Sequence, residues 1–282
     1  MLNASNSRKV GVFVDVSNIY LCGGSRMRYD VLRQYAMTHG LIQRLNAYVS
    51  FDTERAQNDK EYNDRSQGFH EAIRSIGFHT TVKEVRWYND PESGRRYGKA
   101  DLDSDIVVDL AVQAPHLDYV MLVTGDGDFV RPIQYIRSSG CRVEVLAFDS
   151  VSHALRREAD VFTSGYMIPE LLPTNRRETP WGSHGSKVRG LCSYFNHDEG
   201  YGFLAYLKSL SPLTWVTDTR NPDSPYGSAF FHATDLPPDV GTHILPNRWT
   251  VFEFDLFKGD KGMVALNMEI AHGNGNGNDA AS

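Results

Sequence analysis

The chain has 282 residues, 41% of them hydrophobic, and carries 29 Lys and Arg against 35 Asp and Glu for a formal net charge of −6. That length accommodates two domains of ordinary size; no apolar run approaches the ~18 residues of a membrane span, and the opening MLNASNSRKV lacks the apolar stretch of a secretory signal. The negative balance argues against a general polyanion binder, and the scattered Cys22, Cys141 and Cys192 fit no disulfide framework or zinc site, reading as reduced thiols of a cytoplasmic protein.

Residues 9–172 alternate apolar strand-like runs with helical patterns. The spacing predicts strands at 9–16, 41–50, 78–85, 119–125 and 142–148, with helices near 29–39, 57–76, 102–113 and 127–139. The runs at 12–14 and 119–123 are apolar on both sides, as in a sheet covered on two faces. The order is that of an α/β domain, a doubly wound, mostly parallel sheet with helices on both faces. Residues 173–186, PTNRRETPWGSHGS, have the Pro, Gly, Ser and Thr content of a linker. Beyond them, short strand patterns at 187–196, 201–208, 227–233, 249–257 and 263–270 predict a small all-β barrel over 187–272, and residues 273–282 a disordered tail.

In an open α/β sheet, ligands collect outside the carboxyl ends of the strands. The first strand there runs into Asp15, followed by Ser17 and Asn18. The fourth runs into Thr124-Gly125-Asp126-Gly127-Asp128-Phe129, where glycines permit a tight turn and close approach of the backbone to a ligand. Capping by Asp128 of the helix starting at Phe129 is the competing structural reading. A third acidic stretch holds Asp101, Asp103, Asp105 and Asp109. At about 100° per residue, Asp103 aligns with Val107 and Leu110 on the apolar stripe. Asp105 falls opposite, Asp109 to one side, and Asp101 at the N-cap position. A carboxylate on a core-facing stripe is costly unless paired or metal-bound, which makes Asp103 the partner of Asp15 and Asp126. Clustered carboxylates are hard oxygen ligands for Mg²⁺ or Mn²⁺, and such a site hydrolyses phosphodiesters by metal-activated water.

The succession FVDVSN, KADLDSDIVVDLAV and VMLVTGDGDFVRPIQYIRSSGCRVEVLAF resembles the NYN domains of the PIN-like ribonuclease superfamily, over residues 9–170. The resemblance implies a PIN-like, Rossmannoid fold and Mg²⁺- or Mn²⁺-dependent cleavage of RNA. It places the metal-binding and catalytic acids at Asp15, Asp103, Asp126 and Asp128, and the family's asparagine at Asn18. Thr124 stands where serine is common and keeps the hydroxyl. Before the acidic helix, Arg86, Arg95, Arg96 and Lys99 are candidate phosphate contacts or a solvated basic loop, and Trp87 and Tyr88 either stack on a base or lie in the core of a strand, the second reading being preferred.

In the second domain, Tyr201 and Phe203 share one strand face by parity, as do Phe230 and His232. With Tyr194 they form a candidate platform for stacked bases, Phe195 and Phe231 falling on the core side. The pieces YFNHDEGYGFLAY, FFHATDL and FEFDLFKGDKGMVALNMEI resemble a cold-shock domain, an OB-type barrel. By that resemblance Phe203, Phe230 and His232 match RNA-binding positions, Tyr194 replaces a tryptophan and Tyr201 a phenylalanine. Ser193 and Glu199 replace lysines, Ala233 replaces an aromatic residue, and residues 207–228 carry a long insertion. Residues 183–272 hold seven Lys and Arg against ten Asp and Glu, so the barrel lacks an electrostatic funnel.

The expected function is a metal-dependent RNA endonuclease whose barrel captures single-stranded RNA, with single-stranded DNA as a second substrate class. The alternative is a non-catalytic RNA-binding protein that retains the metal site. A haloacid-type phosphatase needs an aspartate two residues after Asp15, where Ser17 stands. Whether the chain forms a homo-oligomer is open at this level.

Overall fold

The computed structural model describes residues 8–90, 93–174, 179–247 and 249–271. The tail expected at 273–282, and residues 175–178 of the expected linker, lie outside these. In chain order the first elements are β1 (Lys9–Asp15), α1 (Val16–Ile19), α2 (Tyr29–Met37), β2 (Leu41–Phe51), α3 (Thr53–Asn58), α4 (Lys60–Ser75) and β3 (His79–Glu84). There follow β4 (Arg86–Asn89), β5 (Arg96–Lys99), α5 (Asp103–Gln113), β6 (Tyr119–Val123), α6 (Val130–Ser138), β7 (Arg142–Ala147), α7 (His153–Glu158) and β8 (Val161–Ser164). The last five strands are β9 (Lys187–Asn196), β10 (Tyr201–Leu207), β11 (Tyr226–His232), β12 (Val251–Gly259) and β13 (Gly262–Ile270).

The six-stranded sheet has the order β3-β2-β1-β6-β7-β8, and its pairs β3–β2, β2–β1, β1–β6 and β6–β7 are all parallel. The expected α/β sheet is therefore present. Val10, Val12, Phe13, Val14 and the apolar residues of β6 are buried on both faces, which is why these strands read as unbroken apolar runs. On one face Phe13, Val120, Leu122, Val143 and Val145 pack with Ile106 and Leu110 of α5, Ile133 and Ile136 of α6 and Leu155 of α7. Helix starts follow side-chain caps: Asp52 accepts from the Arg55 N–H before α3, and Asp59 from the Tyr62 N–H before α4. The chain leaves β1 toward β2 on one side and finds β6 on the other. The carboxyl ends of β1 and β6 thus flank the point where the strand order reverses, the usual ligand crevice of such sheets.

Strands β9 to β13 close a barrel in the order β10-β11-β13-β12-β9. Its pairs are antiparallel except β11–β13, which is parallel, the strand order of an OB-type barrel. Alternation fills the interior with Val188, Leu204, Tyr206, Phe231, Phe252, Phe254 and Leu256. Phe195 and Phe231 are buried, as their parity predicts.

Of the described residues, 8–25 and 39–163 cluster as one compact unit, and 26–38 with 164–271 as the other. Within the second unit the Arg28 N–H donates to the Leu171 carbonyl, and Arg189 of β9 donates to the Leu172 carbonyl and lies over the Tyr166 ring. The guanidinium of Arg189 is buried and pairs with Glu253 of β12 at 2.7 Å. Helix α2 and residues 164–172 therefore group with the barrel unit.

Candidate metal centre and aromatic faces

Asp15 closes β1 level with Tyr48 of β2 and beside Thr124, which follows β6. Asp15 as a residue is only 5% exposed. One oxygen accepts from the Asn18 N–H at 3.0 Å, and the other from the Thr124 hydroxyl at 3.3 Å. The Thr124 oxygen in turn accepts from the Asp126 N–H, and the Asn18 side-chain oxygen accepts from the Gly125 N–H at 2.9 Å. Asn18 and Thr124 thus stitch the ends of β1 and β6 together across more than 100 residues of sequence.

Asp126 accepts from the Asp128 N–H at 2.9 Å, capping a single 3₁₀ turn over Gly127–Phe129. The capping role considered for Asp128 falls to Asp126. Neither Gly125 nor Gly127 has a positive φ. The room they leave is filled by the chain: a β-carbon on Gly125 would stand 3.1 Å from the Ser150 carbonyl oxygen, and one on Gly127 2.9 Å from the Ser152 hydroxyl. The glycines serve close packing of the 150–152 segment, where sequence had pointed to a ligand.

Helix α5 brings Asp103 to the same place. Carboxylate oxygens of Asp103, Asp126 and Asp128 lie within 4.8 Å of one another, grading from half-buried to exposed. Asp105 pairs instead with Lys83 at 2.7 Å, and Asp109 accepts from the Tyr48 hydroxyl at 2.7 Å. Asp101 is exposed and the N-cap position is Leu102, so Asp101 does not cap α5. Burial pushes the Asp15 carboxyl up to about 6 against the pull of the Asn18 N–H, and the nearby negative charges of Asp103 and Asp126 push the same way. Burial raises the Cys22 thiol as well, with Asp149, Asp15 and Asp126 adding to the effect. Asp15 therefore borders the cluster as a fourth, desolvated carboxylate.

A scan against protein-family models matches the NYN domain over residues 9–171, more than half of the chain. The chain belongs to the NYN domain family. NYN domains are PIN-like, nuclease-type domains. A curated relative is the low amplitude and bright protein LabA of Synechococcus elongatus, 26% identical over 180 residues, covering 62% of this chain and 93% of that protein. A solved structure of a Vibrio parahaemolyticus protein of unknown function is 24% identical, covers 58% of this chain and 96% of the other, and superposes with a TM-score of 0.47. The barrel lies beyond the NYN match, and its strand order is the evidence for its OB type.

Of the basic residues singled out in the NYN domain, Arg95 is exposed. Arg96 forms a two-pronged pair with Glu54 and lies 4.8 Å over the Trp87 ring. Lys99 lies on β5, and its side chain is outside the described residues. Trp87 and Tyr88 are not core residues: they stand exposed on β4, which among the described residues forms a two-stranded sheet with β5. Sequence cannot distinguish an edge hairpin from a buried strand when both are aromatic-rich.

On the barrel, Phe203 pairs across β10 with Tyr194 on one side and Phe230 on the other, while Tyr201 pairs with His232. These five residues share the outer face. Ring centroids are 5.7 Å apart for Tyr201–Phe230, 5.8 Å for Phe203–Phe230 and 6.3 Å for Tyr194–Phe203. Tyr194 is half exposed, and the other three rings are half-buried by one another. The insertion leaves β10 at Leu207 and re-enters β11 at Tyr226, the end of the strand pair opposite Tyr201 and His232. Among the described residues no helix is long and apolar enough to cross a membrane.

Proposed function

We propose that the protein is a metal-dependent RNA endonuclease whose acidic centre holds Mg²⁺ or Mn²⁺ and whose barrel binds single-stranded RNA on its aromatic face. The observation that carries this reading is the convergence of Asp103, Asp126 and Asp128 within 4.8 Å, beside the desolvated Asp15. Three or four carboxylates in one crevice repel one another, and an all-oxygen donor set of this kind suits a hard divalent cation. Burial is the main cause of the raised proton affinity of Asp15, the charges of Asp103 and Asp126 add to it, and a bound cation would offset both. When bound, such a cation supplies Lewis-acid stabilisation of phosphate charge and a water acidified enough to attack at neutral pH.

The remaining work belongs to the chain. Asp15 is held in one rotamer by the Asn18 N–H and the Thr124 hydroxyl. Asn18 is a positioning residue, because its side chain also fixes the Gly125 backbone before Asp126. Asp128, exposed at the rim, is the carboxylate that faces an incoming strand. On the barrel, Tyr194, Tyr201, Phe203, Phe230 and His232 offer stacking surface for unpaired bases. With few lysines or arginines nearby, affinity there comes from rings more than from charge. The barrel's tether to the nuclease domain raises the local concentration of bound strand.

The test is Asp126→Asn in the full chain. We expect metal-dependent cleavage of labelled RNA to be lost while RNA affinity, read by filter binding, is kept. Cleavage by the variant at the wild-type rate, or its absence in wild type, would leave only the RNA-binding part of the reading.

A further inference from the structure

The hairpin β4–β5 forms a two-stranded sheet of its own, outside the six-stranded one. It rises from the carboxyl end of β3, the sheet edge that bears Asp15, and Lys99 at its end precedes Asp103 by four residues. At most ~3.6 Å per residue, those two Cα atoms are within about 15 Å. Its register pairs Trp87 with Gly98, Tyr88 with Tyr97, and Asn89 with Arg96. Alternation puts Trp87 and Arg96 on one face and Tyr88, Tyr97 and Arg86 on the other.

The first face is anchored. The Trp87 indole N–H donates to Asp52 at 3.3 Å, Arg96 pairs with Glu54, and the Trp87 ring closes over Gly98, where a β-carbon would come within 3.3 Å of it. The second face is bare. Tyr88 and Tyr97 are 45% and 51% exposed, with rings 5.8 Å apart and 27° from parallel. Arg86 and Arg95 are exposed, and no ion pair engages them among the described residues. The turn consumes Asp90, whose carboxylate accepts from the Ser93 N–H.

We propose that Tyr88 and Tyr97 form a base-stacking step for unpaired nucleotides of RNA on their way to the acidic centre, with Arg86 and Arg95 on the flanking phosphates. This rests on the ribonuclease reading for what happens next to the strand, not for the binding itself. Two rings held by an anchored ribbon stack on bases without ordering cost. Against the chain's net charge of −6, the exposed Arg86 and Arg95 give this hairpin a local attraction for phosphates, and rings laid open suit bases freed from pairing. Duplex RNA offers no such bases.

The experiment photo-crosslinks the full chain, in chelator to prevent cleavage, to an unstructured RNA of roughly 12 nucleotides bearing 5-iodouridine, and sequences the crosslinked peptides. We expect crosslinks at Tyr88 or Tyr97, outcompeted by unlabelled single strand and not by duplex. We further expect the Tyr88→Ala/Tyr97→Ala double variant to raise KM for RNA about 10-fold or more with kcat little changed, and Tyr88→Phe/Tyr97→Phe, which keeps the rings, to behave as wild type. Crosslinks absent from the hairpin, equal competition by duplex, or a wild-type KM in the alanine variant would overturn the proposal. Hairpin crosslinks in a protein that cleaves no RNA would sustain it while removing the ribonuclease reading. Cleavage without hairpin crosslinks would do the reverse.

Discussion

Among single residues, Asp15 couples the proposed metal chemistry most directly to stability. A carboxyl held at about 6 instead of near 3.8 binds its proton more tightly in the folded chain than in the unfolded one. Its contribution to stability is therefore favourable below the unfolded value and is lost as pH rises through about 6. Asp15→Asn removes that penalty. In chelator at pH 7 we expect the variant to be more stable than wild type by about 1–3 kcal/mol, the gain vanishing near pH 4, as read by urea denaturation at each pH. The same variant should lose Mn²⁺ binding in a calorimetric titration. A destabilised variant at pH 7 would show that the Asn18 and Thr124 hydrogen bonds outweigh the desolvation.

The acids of the centre differ in how far local sequence determines their partners. Helical angle alone separated Asp103 from Asp105 and Asp109, and in the fold Lys83 and Tyr48 take the latter two. The tasks of Asn18 and Thr124 in joining β1 to β6 depend on partners more than 100 residues away, which no local pattern contains. The closure of the 150–152 segment over Gly125 and Gly127 was invisible for the same reason.

At the scale of elements, long apolar strands were readable because burial on both faces leaves only one kind of residue. Short edge elements were not. The hairpin β4–β5 is fixed by Trp87 on Asp52 and Arg96 on Glu54, contacts 35 and 42 residues apart, so its exposed aromatics resembled core. Two substitutions probe the barrel. In Gly202→Ala, the new β-carbon would lie 2.6 Å from the Tyr194 carbonyl oxygen and 2.7 Å from the Phe231 ring, directly beneath the aromatic face. We expect a loss of about 1–3 kcal/mol in urea unfolding, with weaker RNA binding. Arg189→Met leaves Glu253, among the described residues, with the Lys187 ammonium at 3.7 Å as its ion-pair partner, and takes the Arg189 donor from the Leu172 carbonyl. The expected cost is about 3 kcal/mol, and double substitution with Glu253→Leu should recover part of it.

At the scale of the whole molecule, the family match ends at residue 171 while α2 and residues 164–172 cluster with the barrel. A chain stopped after Leu172 loses the Arg189 guanidinium from Tyr166 and the Leu172 carbonyl, so we expect it to melt at lower temperature than the full chain by calorimetry. The acidic residues Asp15, Asp103, Asp126 and Asp128 all belong to the first unit, and the aromatic face of the barrel belongs to the second. Metal-dependent cleavage of RNA at the carboxylates is the proposed activity that would join both units in one function. Its most direct test incubates end-labelled single-stranded RNA with wild type and Asp15→Asn in Mn²⁺, in Mg²⁺ and in chelator. We expect internal cleavage by wild type with metal, none in chelator, and a rate lower by about 100-fold or more in the variant. Equal cleavage by both proteins, or no metal-dependent cleavage by wild type, would contradict it.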